Sequence, residues 1–161
     1  MGAAEIRVGT SENELTLREM SEALPDTGTM MARIAENWWR LIYAARAGNW
    51  DLAGYCLRQT AKLEDTLKLL RPKHRERLER FQSTALPAVV AAVERRDLAG
   101  LEQAYAAATE LANTLHGESG YAYIRWELPA EPPPGLQLEP AAGADGGRPT
   151  ADGQLAAGRS A

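Results

Sequence analysis

Apolar residues recur three or four apart, the period of one helix face, through most of residues 30–115, and this pattern predicts an all-α fold. Residues 30–47 put Met31, Ile34, Trp38, Leu41 and Ala45 on one stripe, and Gly48 follows as a stop. Asn49 suits the next N-cap, with Asp51 in a first turn where the helix dipole favours an acid. The buried stripe expected of that second helix is Leu52, Cys56, Gln59, Leu63, Leu67 and Leu70. Arg71-Pro72 ends it, because a residue before proline is pushed out of helical angles. A third segment, residues 72–96, carries Pro72 and Pro87 and reads as a kinked or broken helix with Leu78, Phe81, Val89, Val90 and Val93 inward. Asp97 caps a fourth helix over residues 98–115, whose seam is Leu101, Tyr105, Ala108, Ala112 and Leu115.

Ahead of these, residues 11–24 read as a short amphipathic helix. Ser11 and Glu14 stand in capping-box spacing, and Leu17, Met20 and Leu24 share a face. Pro25 to Gly28 then breaks the chain, leaving Thr27 or Thr29 to cap the first bundle helix. Asp51-Leu52-Ala53-Gly54 and Asp97-Leu98-Ala99-Gly100 both fall at helix starts, each opening the return arm of a hairpin. Two stacked hairpins make an antiparallel four-helix bundle. The expected organisation is therefore an N-terminal arm (1–28), the bundle (29–126) and a Pro/Gly/Ala-rich remainder (127–161). In the remainder, a polyproline-like strap gives way from about residue 141 to a tail too poor in large apolar residues to order itself.

Composition narrows the function classes. A net charge of −4, with Lys and Arg interleaved among Asp and Glu, supplies no basic field for a phosphate backbone, so no nucleic-acid partner is expected. No apolar stretch is long enough to span a bilayer, and residues 1–20 lack the continuous apolar run of an export signal, so the expectation is a soluble, cytoplasmic protein away from membranes. The lone Cys56 can form no internal disulfide, which suits a reducing compartment.

Chemistry-bearing patterns are few. Neither histidine is preceded at three residues by Glu, which argues against a di-iron carboxylate site. No Cys-x-x-Cys, His-Glu-x-x-His, phosphate-cradling loop or nucleophile elbow occurs, and Ser119 near His116 lacks the acid of a triad. No reaction is assigned on these grounds. His74, inside Lys73-His74-Arg75, reads as a solvated side chain on a charged face. His116 shares the core-facing side of the last helix with Tyr105 and Ala112. It can ligate a metal or haem iron, donate a hydrogen bond, or cap the helix end as a cation. Aromatics crowd the first hairpin, and the adjacent Trp38 and Trp39 cannot both point inward.

The segments "LIYAARAGNWDLAGY", "ALPAVVAAVERRDLAGLEQAYAAATELANTLHG" and "SGYAYIRWELPAEPP" together resemble bacterial four-helix haem proteins of the cytochrome c-prime type, over about residues 30–134. In that family the last helix passes an Asp and a Tyr before Cys-x-x-Cys-His. A Gly-Tyr pair, here Gly120-Tyr121, and a Pro-rich segment come next. This chain departs at the decisive place: Ala112 and Leu115 replace the two thioether cysteines and His116 remains, which excludes covalent haem attachment.

The resemblance implies two readings. In one, the bundle has become a protein-interaction or oligomerisation module, partnered by a second copy or another protein, with His116 a helix-capping relic. In the other, it binds haem or another small planar ligand without covalent bonds, with His116 as axial metal ligand. Met31, Ile34 and Trp38 would then form the opposite wall, and Tyr105, Ala112, Leu115 and Tyr121 the rest of the crevice.

Overall fold

The computed structural model describes residues 7–9, 13–132 and 134–142. Among these residues there are six α-helices and one two-stranded ribbon, so the fold is mostly helical. The expected disorder of the tail concerns mainly residues 143–161, which lie outside the described residues.

The N-terminal arm differs from the sequence reading. Strand β1 (Arg7–Gly9) pairs antiparallel with β2 (Glu14–Thr16), Val8 facing Leu15 across the pair. Helix α1 (Leu17–Glu22) starts only after them, its capping box formed by Thr16 with Glu19, while Ser11 of the expected box lies outside the described residues. Thr16 Oγ1 accepts from the Glu19 amide, and the Glu19 carboxylate accepts from the Thr16 amide in return. Glu14, expected in the first turn of a helix, lies in β2 instead.

Helix α2 (Thr27–Arg46) is capped by Asp26, whose carboxylate accepts from the Thr29 amide, so the acid one residue earlier takes the role expected of Thr27 or Thr29. Gly48, at φ +79°, turns the chain into α3 (Trp50–Leu70), and Asn49 caps α3 through the Leu52 amide. The two helices form an extensively packed hairpin. After a 3-10 turn (Pro72–His74), the third segment breaks at Ala85 into α4 (Arg75–Thr84) and α5 (Leu86–Arg95). Helix α6 (Leu98–Glu118), capped by Asp97 through the Gly100 amide, runs one turn beyond its expected end. It packs mainly on α5, with further contacts to α2 and α4. Asp51 lies inside the first turn of α3 while Asp97 is itself a cap, so the echoed Asp-Leu-Ala-Gly stretches are not in equivalent positions.

The core comprises Trp38, Leu41, Ile42, Cys56, Phe81, Val89, Leu101 and Tyr105 among others. Two stripes need correction. On α3 the buried positions are Ala53, Cys56, Leu57, Thr60, Glu64 and Leu67, whereas Leu63 and Leu70 are only half-buried. The helical period runs through Thr60 and Glu64, and the apolar neighbours that drew the sequence reading sit about 100° to one side. On α6, Thr109 and Asn113 are buried beside the expected Leu101, Tyr105 and Ala108, and Val90 of α5 faces outward. No helix of the described residues is long and apolar enough to cross a membrane.

Beyond α6, Gly120 at φ +83° reverses the chain, with the Tyr121 amide donating to the His116 carbonyl as helix-end motifs require. The strap after this reversal has no regular secondary structure and lies back on the helices. Trp126, Leu128 and Leu138 pack on the core, and the Tyr43 hydroxyl donates to the Pro129 carbonyl.

Candidate functional site

The packing of α2, α3, α4, α6 and the strap leaves a cavity of about 220 Å³, almost wholly apolar in lining. Helix α2 contributes Met31, Ile34 and Trp38, α6 contributes Ala112, Leu115 and His116, and the strap adds Tyr121, Ile124 and Trp126. Seven of the eight residues expected around a ligand therefore share one wall system. Tyr105 is the exception: it stacks on the far face of the arrangement against Trp38, centroids 4.8 Å apart, and borders a separate hollow with Ile42 and Leu128. It stands about three turns before His116, and its ring meets the cavity's wall only through Trp38. Burial and the neighbouring Tyr43 hold its phenol above the ordinary range.

Trp38 is the fixed wall. Its Nε1 donates to Thr109 Oγ1 at 3.0 Å, Thr109 in turn donates to the Tyr105 carbonyl at 2.9 Å, and Phe81 meets the indole edge-on at 6.0 Å. Opposite, the His116 ring meets Trp126 edge-on at 5.4 Å. The strap is pinned there by Asn113, whose amide nitrogen donates to the Trp126 carbonyl (2.9 Å) while its oxygen accepts from the Trp126 amide (2.6 Å). Asn113→Ala removes both bonds and leaves two strap backbone groups without partners. We expect a loss of about 1–3 kcal/mol, together with faster hydrogen exchange at the Trp126 amide. An unchanged exchange rate there would mean that Asn113 does not hold the strap.

The polar part of the wall was largely missed by sequence reasoning. His74, expected in solvent, lines the cavity from the 3-10 turn. The reversal at Arg71-Pro72 tucks its ring under α4, although Lys73 and Arg75 on either side are exposed. Thr60 and Glu64, one turn apart on α3, also line it and are 0% and 3% exposed. Thr60 Oγ1, Glu64 Oε2, His74 Nε2 and His116 Nδ1 are each buried without a hydrogen-bond partner. Buried polar atoms are seldom left so, and four in one cavity wall is the pattern of a site that awaits a ligand or water.

Burial raises the Glu64 carboxyl to about 8; Gln82 pulls it partly back, Asp65 pushes it further and Lys68 lowers it. Both imidazoles are lowered, His74 by burial and then by Lys73, Arg77 and Arg71, and His116 by burial against a smaller opposing pull from the Ile124 backbone. At neutral pH the cavity thus holds a protonated acid and two neutral imidazoles.

No family model, curated protein or solved structure matches this chain.

The group implied by the resemblance can be tested on the cavity itself. The cavity's space of about 220 Å³ lies below the roughly 300–1,000 Å³ of pockets that enclose drug-sized ligands, so a haem held here would stand partly outside it. Among the described residues, no group of three His, Cys, Asp or Glu side chains forms a metal centre around His116.

Proposed function

We propose that the protein binds a compact, largely apolar small molecule in the cavity between α2, α3, α4 and α6. Part of this reading is that α2, α3, the broken α4–α5 pair and α6 act as the four arms of a bundle, with the strap as the cavity's remaining wall. The observation that carries it is the combination of an apolar lining with four buried, unpartnered polar atoms. Such a site offers burial to the body of a ligand and a few placed contacts to orient it. An apolar cavity of roughly 150 Å³ takes up benzene, so 220 Å³ admits an aromatic ring with a short substituent. The interaction-module reading would draw on the exposed strap residues Tyr123 and Ile124, since Trp126 is committed to the chain's own core.

The test is uptake of ethylbenzene by the full chain, followed by saturation-transfer NMR. Binding is expected, together with its loss in Ala112→Trp, which fills the space from the α6 side while circular dichroism stays helical. Absence of any transfer to wild-type protein would sink the proposal. Under the same reading, haemin at micromolar concentration keeps its free Soret band. A shifted band that disappears in His116→Ala would put haem in place of the small ligand.

A further inference from the structure

We infer that the cavity's ligand is a small aralkyl amine, its ring between the Trp38–Phe81 and His116–Trp126 pairs and its ammonium group on Glu64 and Thr60. The inference rests on the small-ligand reading above and adds the ligand's charge and donor pattern. Each of the four unpartnered atoms can accept a hydrogen bond: a Glu64 carboxyl oxygen, the Thr60 hydroxyl, and the imidazole nitrogen that a neutral histidine leaves bare, while the Thr60 hydroxyl and the protonated Glu64 can also donate. A cavity rich in acceptors is matched by a ligand rich in donors. A primary ammonium brings three N–H groups in one compact head, whereas a hydroxyl brings one.

Charge points the same way. Among the described residues, Glu64 is the only acid in the wall and Arg77 the only permanently charged base. Arg77 is already committed at the α4–α6 rim, where its Nη2 donates to the Glu118 carbonyl at 3.1 Å. Glu64 is 3% exposed with one oxygen bonded to nothing. A carboxylate ligand would bring a negative charge that holds Glu64 in its neutral form, while an ammonium gives the ionised Glu64 a partner.

Binding should release a proton from Glu64. The charged and titratable groups around that carboxyl are Asp65 and Lys68 on its own helix, His74 and Arg77 beyond the turn, and His116 and Tyr121 across the cavity. Helix α2 lines that wall with Thr27, Gly28, Met31, Ile34 and Trp38, none of them titratable. Both imidazoles are held neutral by burial, so Glu64 is the group that changes state when an ammonium arrives.

The experiment is calorimetric titration of the full chain with phenethylamine, phenethyl alcohol and hydrocinnamate, three probes of one ring and differing heads. The amine is expected to bind about 10- to 100-fold more tightly than the alcohol, the range set by a charge-assisted contact, and the carboxylate least. Raising the pH from about 6.5 to about 8.5 should strengthen amine binding and leave the alcohol unchanged. Glu64→Gln should bring the amine down to the alcohol's affinity, and Thr60→Val should reduce it by a smaller factor. Alcohol binding with no amine preference, or a preference that survives Glu64→Gln, overturns the amine assignment and leaves the cavity reading in place. Failure of all three probes overturns both.

Discussion

Glu64→Gln is expected to make the protein more stable in alkaline buffer and to leave it nearly unchanged near about pH 5. The folded state raises the Glu64 carboxyl from 4.5 to about 8, so between those values the native protein holds a proton that the unfolded chain has released. Such a group contributes its full stability below the unfolded value, and that stability drains away as pH rises through the folded one. At about 1.4 kcal/mol per pH unit, the loss across the window amounts to at most about 4–5 kcal/mol, and water entering the cavity reduces it. Gln is close in shape to the protonated acid and carries no charge to bury, so the variant should lack this slope.

The histidines act with the opposite sign. Their folded values lie below the ordinary 6.5, so they cost stability as pH falls through that region. Below about pH 6.5 the two effects oppose each other while the histidines titrate, and above that only the Glu64 slope remains. Urea unfolding followed by tryptophan fluorescence over this pH range separates them. Parallel stability curves for wild type and Glu64→Gln would mean that the carboxyl is not desolvated in the native state.

That residue also shows where reading the sequence stopped. The helices could be read because their ends are marked by local chemistry: Asn49 and Asp97 cap the starts expected of them, Gly48 turns the first hairpin, Pro72 opens the third segment and Pro87 marks its break. Six of the cavity residues, Met31, Ile34, Trp38, Ala112, Leu115 and His116, lie on apolar stripes of α2 and α6 and were visible for that reason. Glu64 and Thr60 were not, since a search for apolar positions assigns Leu63 to the core and its charged neighbour to solvent. His74 was hidden by the cations beside it. Asn113 was hidden because its partner is the backbone of a strap 13 residues away, a contact with no periodic signature. The unread part was therefore mostly the polar half of the site, which depends on how separate segments meet.

Trp38→Ala is expected to be the most damaging single substitution, and Trp39→Ala the control that gives the result meaning. Trp38 is 1% exposed while Trp39 is half-buried, which resolves the adjacent pair that cannot both face inward. Removing the inner indole forfeits its burial, the stack on Tyr105, the edge contact with Phe81 and the bond to Thr109. Thr109 is not stranded, since its hydroxyl keeps the Tyr105 carbonyl, so the cost is mainly that of a large void, about 3–5 kcal/mol. Trp39→Ala should cost about 1 kcal/mol or less. The void opens onto the existing cavity, so added indole should restore part of the lost melting temperature in Trp38→Ala, by mass action on the folded state. Equal losses for the two variants would show that the inner wall has been assigned to the wrong tryptophan. A large loss that indole does not relieve would show that the space behind Trp38 is closed off from the cavity it walls.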